Sequence, residues 1–363
     1  IVHSLDRKTA MRIGIIGLPN SGKTTIYNAL TRSDIETGPF STGQMEIHTA
    51  VVDVPDPRVD ALTAMFKPRK TIDAQVTYSD ISGLAKGGSV SGPLLNALAA
   101  NDVLMLVARS FEDEDVPHPD SRVDPARDIH AMETEFILND MSVIENRLVR
   151  IASQKGRGPV LERQKMEKEE LLLQGLAAVL EQEKPLRDME ISEEDRKQLG
   201  GFGLLSLKPV LRVINGGDDD SEEAFADLLD DNTFFLRGRL EAEIAQMEPD
   251  EASEFLADFG IEEPGLNRAI RRCYNLLGVI SFFTVGEDEV RAWTVRKAAP
   301  APEAAGVIHS DLQKGFIRAE TIAYSDMMAA GSMAEARKLD KLRLEGKEYP
   351  VQDGDILNIR FNV

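Results

Sequence analysis

Apolar and polar positions follow two rhythms along this chain. Short apolar runs at Arg12–Ile16, His48–Val54, Ala74–Ser79 and Val103–Val107 read as strands, with helical spacing between them. That alternation predicts a doubly wound α/β domain. A fifth strand, Val210–Ile214, stands far downstream, and in the gap the period changes. Ile137, Met141, Ile144, Leu148 and Ile151 recur at steps of four and three, the stripe of a coiled coil or helical hairpin. Gln154–Pro159 breaks it, and Leu172, Leu176 and Val179 resume it. Residues 130–205 therefore read as an antiparallel helical pair inserted into an α/β domain of residues 11–278, although an ordinary bundle packed on the core would give the same spacing. From 279 onward the runs shorten, and in Ile356–Val363 apolar Leu357, Ile359, Phe361 and Val363 alternate with polar residues. This predicts a separate small α+β domain of residues 279–363, with the Ala/Pro-rich stretch Ala298–Ala305 as a loop inside it.

The chemistry begins just after the first strand. Gly17-Leu18-Pro19-Asn20-Ser21-Gly22-Lys23-Thr24-Thr25 fits the pattern G-x-x-x-x-G-K-[ST], placed between a strand and the start of a helix. In that context backbone N–H groups and the positive end of a helix converge where a polyphosphate can sit. Lys23 would reach the β- and γ-phosphates, and the Thr24 hydroxyl would ligate Mg²⁺. A Gly-rich turn matching by chance would lack this flanking context.

Composition narrows the setting. The 363 residues carry a net charge of −20, which argues against a general nucleic-acid binder while allowing a local basic patch. One cysteine, Cys273, excludes an intramolecular disulfide and reads as a buried helical thiol. No run has the length of a membrane span and no signal-peptide pattern opens the chain, so a cytoplasmic protein with no membrane partner is expected. Residues 1–10, ahead of Met11, read as an extension without fold information.

A triphosphatase needs more than a phosphate cradle. Asp80-Ile81-Ser82-Gly83 follows the third strand, where an Asp holds the Mg²⁺ shell and a Gly N–H senses the γ-phosphate. Leu84 stands where Ras-like enzymes place a water-orienting Gln. Thr42, in a polar loop, is the candidate for a mobile Mg²⁺ ligand, and a solvated loop Thr is the plainer reading. Asn215-Gly216-Gly217-Asp218 follows the fifth strand, where N-x-x-D loops contact the base, here without the usual Lys.

Together these features resemble the YchF family, the Obg-like ATPases among the translation-factor-related P-loop proteins. The resemblance is carried by LPNSGKTT and DISGL and extends over Val54–Arg58, Ser110–Asp113, Leu207–Pro209, Glu263–Arg268, Glu289–Thr294, Lys314–Glu320 and Phe361–Val363. It implies a coiled-coil arm and a C-terminal TGS domain with a β-grasp, ubiquitin-like fold. It also implies Mg²⁺-dependent hydrolysis of ATP in preference to GTP and association with the ribosome or its RNA, by a chain expected to be monomeric. Asp218 occupies the family's Glu position. By the same resemblance Asn20 is a candidate ligand for K⁺, and His118 a candidate substitute for the missing Gln. The chain departs from the family pattern after Leu84, around Thr42, and at Arg237–Glu241, where a small Ser/Ala pair is usual. Arg291, Arg296, Lys297, Lys314 and Arg318 near Trp293 are candidates for an RNA-facing patch. Two rivals remain open at this point, a GTPase of the same architecture and a non-hydrolysing nucleotide-gated adaptor.

Overall fold

The computed structural model describes residues 11–36, 46–83, 92–155, 159–258 and 263–362. Two compact units emerge, Arg12–Ala50 with Tyr78–Leu266, and Val51–Thr77 with Asn267–Val363.

The first unit is built on a six-stranded sheet. Its strands are β1 (Met11–Gly17), β2 (Ile47–Asp53), β4 (Gln75–Ile81), β5 (Val103–Arg109), β6 (Val210–Asn215) and β7 (Thr233–Leu236), in the order β2-β4-β1-β5-β6-β7. The pairs β1/β5, β5/β6 and β6/β7 are parallel. All five expected strands are present, and β7 is an addition. Its four residues, Thr-Phe-Phe-Leu, are all buried, so no alternation marks them as a strand. Helices α1 (Lys23–Thr31), α3 (Gly92–Ala99), α7 (Gly238–Ala245) and α8 (Pro249–Asp258) belong to this unit. Leu104 and Leu106 of β5 pack with Leu94 and Leu98 of α3 and with Met132 and Phe136, forming one core.

The expected helical insertion is α4 (Pro125–Gln154) followed by α5 (Val160–Leu180) and the short α6 (Glu193–Leu199). Asp124 caps α4 by accepting the Arg127 N–H, with Pro125 in the first turn. Ile137, Ile144 and Ile151 are buried as the spacing predicted, with Met141 and Leu148 partly so. On α5 the buried line is Leu173, Leu176 and Leu180, one residue off the expected Leu172, Leu176 and Val179. The run Leu171-Leu172-Leu173 offers either phase, and contact with α4 selects the second. At the root of the arm the buried Asp140 carboxylate accepts the Leu205 and Ser206 N–H groups at 2.8 Å each, together with the Ser206 hydroxyl. Burial pushes its pKa up against these bonds.

The second unit has its own sheet, β11 (Arg343–Glu345), β10 (Phe316–Ala323), β12 (Asp355–Phe361), β8 (Val279–Val285), β9 (Glu289–Arg296) and β3 (Lys70–Ile72), in that order. β8 and β9 form an antiparallel hairpin, β12 lies parallel to β8, and β10 pairs antiparallel with β12 and β11. Taken as five strands, β8 to β12 run 2-1-5-3-4 with the central pair parallel, the β-grasp order. Residues 51–77, expected with the nucleotide domain, supply the extra strand β3, parallel to β9, and helix α2 (Pro57–Phe66). Arg58 of α2 donates to Asp56 and Asp353 and stacks 5.1 Å from the Phe283 ring.

The Ala/Pro stretch expected as a loop is instead the start of helix α10 (Ala301–Ile308). Pro302 sits in its first turn, where a missing N–H costs nothing, and Ala301, Ala304 and Ala305 are buried against Phe282 and Val295. Helix α9 (Gly265–Leu277) buries Cys273 completely, and burial pushes the thiol far up, leaving it inert.

Candidate nucleotide site

The phosphate loop is shaped by places where no side chain fits. A Cβ on Gly17 would lie 2.7 Å from the Val107 carbonyl of β5 and 2.3 Å from Ser21 Oγ. Gly22 has φ +83°, and a Cβ there would meet the Asn215 amide at 2.2 Å. Asn20 also takes the left-handed conformation, φ 63°. Ser21 N–H closes the turn on the Leu18 carbonyl, and the first helical bond runs from Ile26 N–H to Gly22 O. No side chain caps α1, so the N–H groups of Lys23, Thr24 and Thr25 stand at an uncapped helix start.

Beside this cradle Thr24 Oγ1 donates to Asp80 Oδ2 at 2.7 Å. Asp80 is 3% exposed, and its Oδ1 is buried without a hydrogen-bond partner among the described residues. Burial raises the Asp80 pKa, while Thr24, Lys23 and His48 pull it down. The Thr24 hydroxyl and the buried Asp80 carboxylate, one of whose oxygens is unsatisfied, form a hard-oxygen donor set suited to Mg²⁺. Ser21 Oγ is likewise buried and without a partner among the described residues. Gly83, φ 104°, ends the segment, and Ser82 and Glu46 exchange hydrogen bonds that join the end of β4 to the start of β2. Thr42 and Leu84 lie outside the described residues.

Two further candidates have partners of a different kind from those expected. His118, considered for water orientation, has both ring nitrogens engaged: Nε2 lies 2.8 Å from Asp128 of α4, and Nδ1 accepts the Asp120 N–H. Its side chain is 5% exposed. That arrangement suits a strut holding the start of α4. Asn20 Nδ2 donates to the Pro117 carbonyl at 3.0 Å, which leaves Oδ1 as the atom to face a cation.

Sequence reasoning missed Arg109, the residue that organises the loop between these two. It ends β5, is 2% exposed, and donates to the carbonyls of Phe111 at 2.8 Å, Val116 at 2.7 Å and Asp113 at 3.5 Å. The visible signal was a charge closing an otherwise apolar strand.

The base loop is wired to itself. Asn215 is buried, and its amide is used twice, Nδ2 donating to Ser21 O and Oδ1 accepting the Gly238 N–H, each at 3.0 Å. Expected at the base, it here ties the phosphate loop to β6 and α7. Gly216 is required by the Phe235 ring, 2.3 Å from where a Cβ would lie. Asp220, another missed residue, accepts the Gly217 N–H, and its carbonyl accepts both Nε and Nη2 of Arg237. Asp218 is exposed.

Within the second unit, the basic residues expected as a patch are partly engaged. Arg296 is paired through two bonds with Glu303, and Arg291 stacks 4.0 Å over the Trp293 ring.

The chain is 39% identical to the Bacillus subtilis protein named ribosome-binding ATPase YchF, over 98% of this chain and all of that one. The chain belongs to the YchF family. Its counterparts in Haemophilus ducreyi and Escherichia coli O157:H7, which bear the same name, are 40% and 38% identical over 97% of this chain and 99% of each. Residues 12–147 match the family described as 50S ribosome-binding GTPase, and residues 279–362 match the YchF-GTPase C-terminal family, described as a protein of unknown function. The solved structure of the Schizosaccharomyces pombe YchF GTPase superposes with a TM-score of 0.82 at 30% identity, covering 96% of this chain and 97% of that one. Among the described residues no helix is long and apolar enough to cross a membrane.

Proposed function

We propose that this chain is a Mg²⁺-dependent, ATP-hydrolysing switch that associates with the ribosome. The observation that carries the chemistry is the pair Thr24–Asp80 beside an uncapped helix start, with a buried carboxylate oxygen left over. The ribosomal part rests on the names of relatives matched along their whole length.

Gly17, Ser21, Gly22, Lys23, Thr24 and Thr25 bind the phosphates, Thr24 and Asp80 hold Mg²⁺, and the Gly83 N–H reads the γ-phosphate. A Mg²⁺ ion held by Thr24 and Asp80 would supply positive charge against the negative charge of the transferring phosphate. Lys23 supplies the matching charge from the protein, so catalysis rests on positioning and electrostatics. Thr42 is the candidate for a third metal ligand. Asn20 Oδ1 is the atom read as a K⁺ ligand, and His118 is read as a strut. The C-terminal β-grasp unit is read as a TGS domain, and the chain as a monomer.

A GTPase of the same architecture is the second reading, favoured by Asp218 at the position where guanine-specific loops carry an Asp. Competition of ATP and GTP for the purified protein, with co-sedimentation on ribosomes, tests both halves. The ATPase reading expects ATP to compete at least as well as GTP, and tighter GTP binding by about tenfold or more would overturn it. Absence from the ribosomal pellet in every nucleotide state would overturn the association.

A further inference from the structure

Arg109 is the largest fully buried side chain in the first unit, and among the described residues it forms no ion pair. Burial lowers its pKa, and Asp113 and Glu112 raise it only through space. A guanidinium stays charged in a protein, so an enclosed one without a carboxylate is a standing cost. What offsets that cost here is a set of hydrogen bonds to the carbonyls of one loop, Phe111, Asp113 and Val116. The guanidinium also lies 4.3 Å over the Phe111 ring.

Those contacts lead to the nucleotide site by two short routes. Phe111 lies between its two ends: its ring reaches to 3.8 Å from the Cβ position of Gly22 in the phosphate loop, and its Cβ to 3.5 Å from that of Gly217 in the base loop. The residue after Val116 is Pro117, whose carbonyl accepts the Asn20 amide of the phosphate loop. Ser110, directly after Arg109, donates its N–H and its hydroxyl to the Asn215 carbonyl. One buried cation thus holds the segment that spaces the phosphate loop from the base loop.

We propose that Arg109 is a positioning residue for nucleotide, acting through Phe111 and Pro117 to fix the lip of the phosphate loop at Asn20 and Gly22. It touches neither phosphate nor base. Because it shapes a ground-state cradle, its loss weakens binding more than it slows the bound complex. The proposal rests on the nucleotide-binding reading above.

The test measures nucleotide affinity and single-turnover rate for wild type, Arg109→Met, Asn20→Ala and the double variant. Arg109→Met is expected to weaken binding by about tenfold, the worth of a well-placed hydrogen bond and its neighbours, with the saturated rate within about threefold of wild type. Asn20→Ala is expected to weaken binding in the same direction, and the double variant to lose less than the product of the two. Arg109→Lys, which keeps the charge, is expected to recover part of the affinity. If the Met variant does not fold, Phe111→Leu takes its place, with the same expected direction. Unchanged affinity in the variants, or losses that multiply, would overturn the proposal. Failure of wild type to bind nucleotide would instead overturn the parent reading.

Discussion

The phosphate end and the base end of this site are held in opposite ways. Around Gly17–Thr25 the polar groups are left over: α1 has no side-chain cap, and Ser21 Oγ and Asp80 Oδ1 are buried without partners among the described residues. Around Asn215–Asp220 they are used up, both ends of the Asn215 amide on backbone and Asp220 bound to Gly217 and Arg237. An unsatisfied buried polar group costs folding free energy, so a fold keeps one where a ligand completes it. The phosphate end is built to be completed, and the base end to hold its own shape. Asp218 stands exposed on that loop, and the proposed reading makes it the residue to test for discrimination between bases.

The largest effect that would break this contrast is at Lys23. Lys23→Ala is expected to lower turnover by about a hundredfold or more while leaving the melting temperature nearly unchanged, since its charge serves the ligand. A large loss of stability with retained turnover would place Lys23 on the structural side. Asn215→Ala should do the reverse. Removing two buried bonds to backbone is expected to cost about 2–4 kcal/mol in denaturant unfolding, with nucleotide affinity falling as a consequence of the loosened loops. Stability unchanged in that variant would mean that the base end is not self-supporting. The smallest effect belongs to Asp218. Asp218→Asn should leave stability and ATP affinity within about twofold of wild type, inside the usual range for an exposed substitution. A selective loss of GTP binding would mark it as a guanine reader.

The same contrast explains how much was legible in the sequence. The phosphate loop could be read because its requirements are local: two glycines, a Lys and a Thr at fixed spacing between a strand and a helix. Asp80 was legible by its place at the end of an expected strand, and its carboxylate lies 2.7 Å from the Thr24 hydroxyl. The base loop was read by analogy with N-x-x-D, yet its bonds join residues far apart in the chain, Asn215 to Ser21 and Asp220 to Arg237. No spacing rule encodes them. The same holds for Arg109, whose partners are carbonyls, a chemistry that every residue shares. In the fold, strands and arm followed from periodicity, while β7 and α10 did not. One is too short and too buried to alternate, and the other hides its helix behind prolines that only its first turn accommodates. The segment between β2 and β4 reads as part of an α/β alternation, and the edge pairing of β3 with β9 shows that its strand serves the second sheet.

The central claim is that Thr24 and Asp80 form a Mg²⁺ site completed by nucleotide. Triphosphate affinity measured with and without Mg²⁺, for wild type and Asp80→Asn, tests it most directly. The account predicts that Mg²⁺ tightens wild-type binding by about tenfold or more and that Asp80→Asn removes most of that gain while remaining folded. Equal affinity with and without Mg²⁺ in wild type, or an undiminished Mg²⁺ effect in Asp80→Asn, would contradict it.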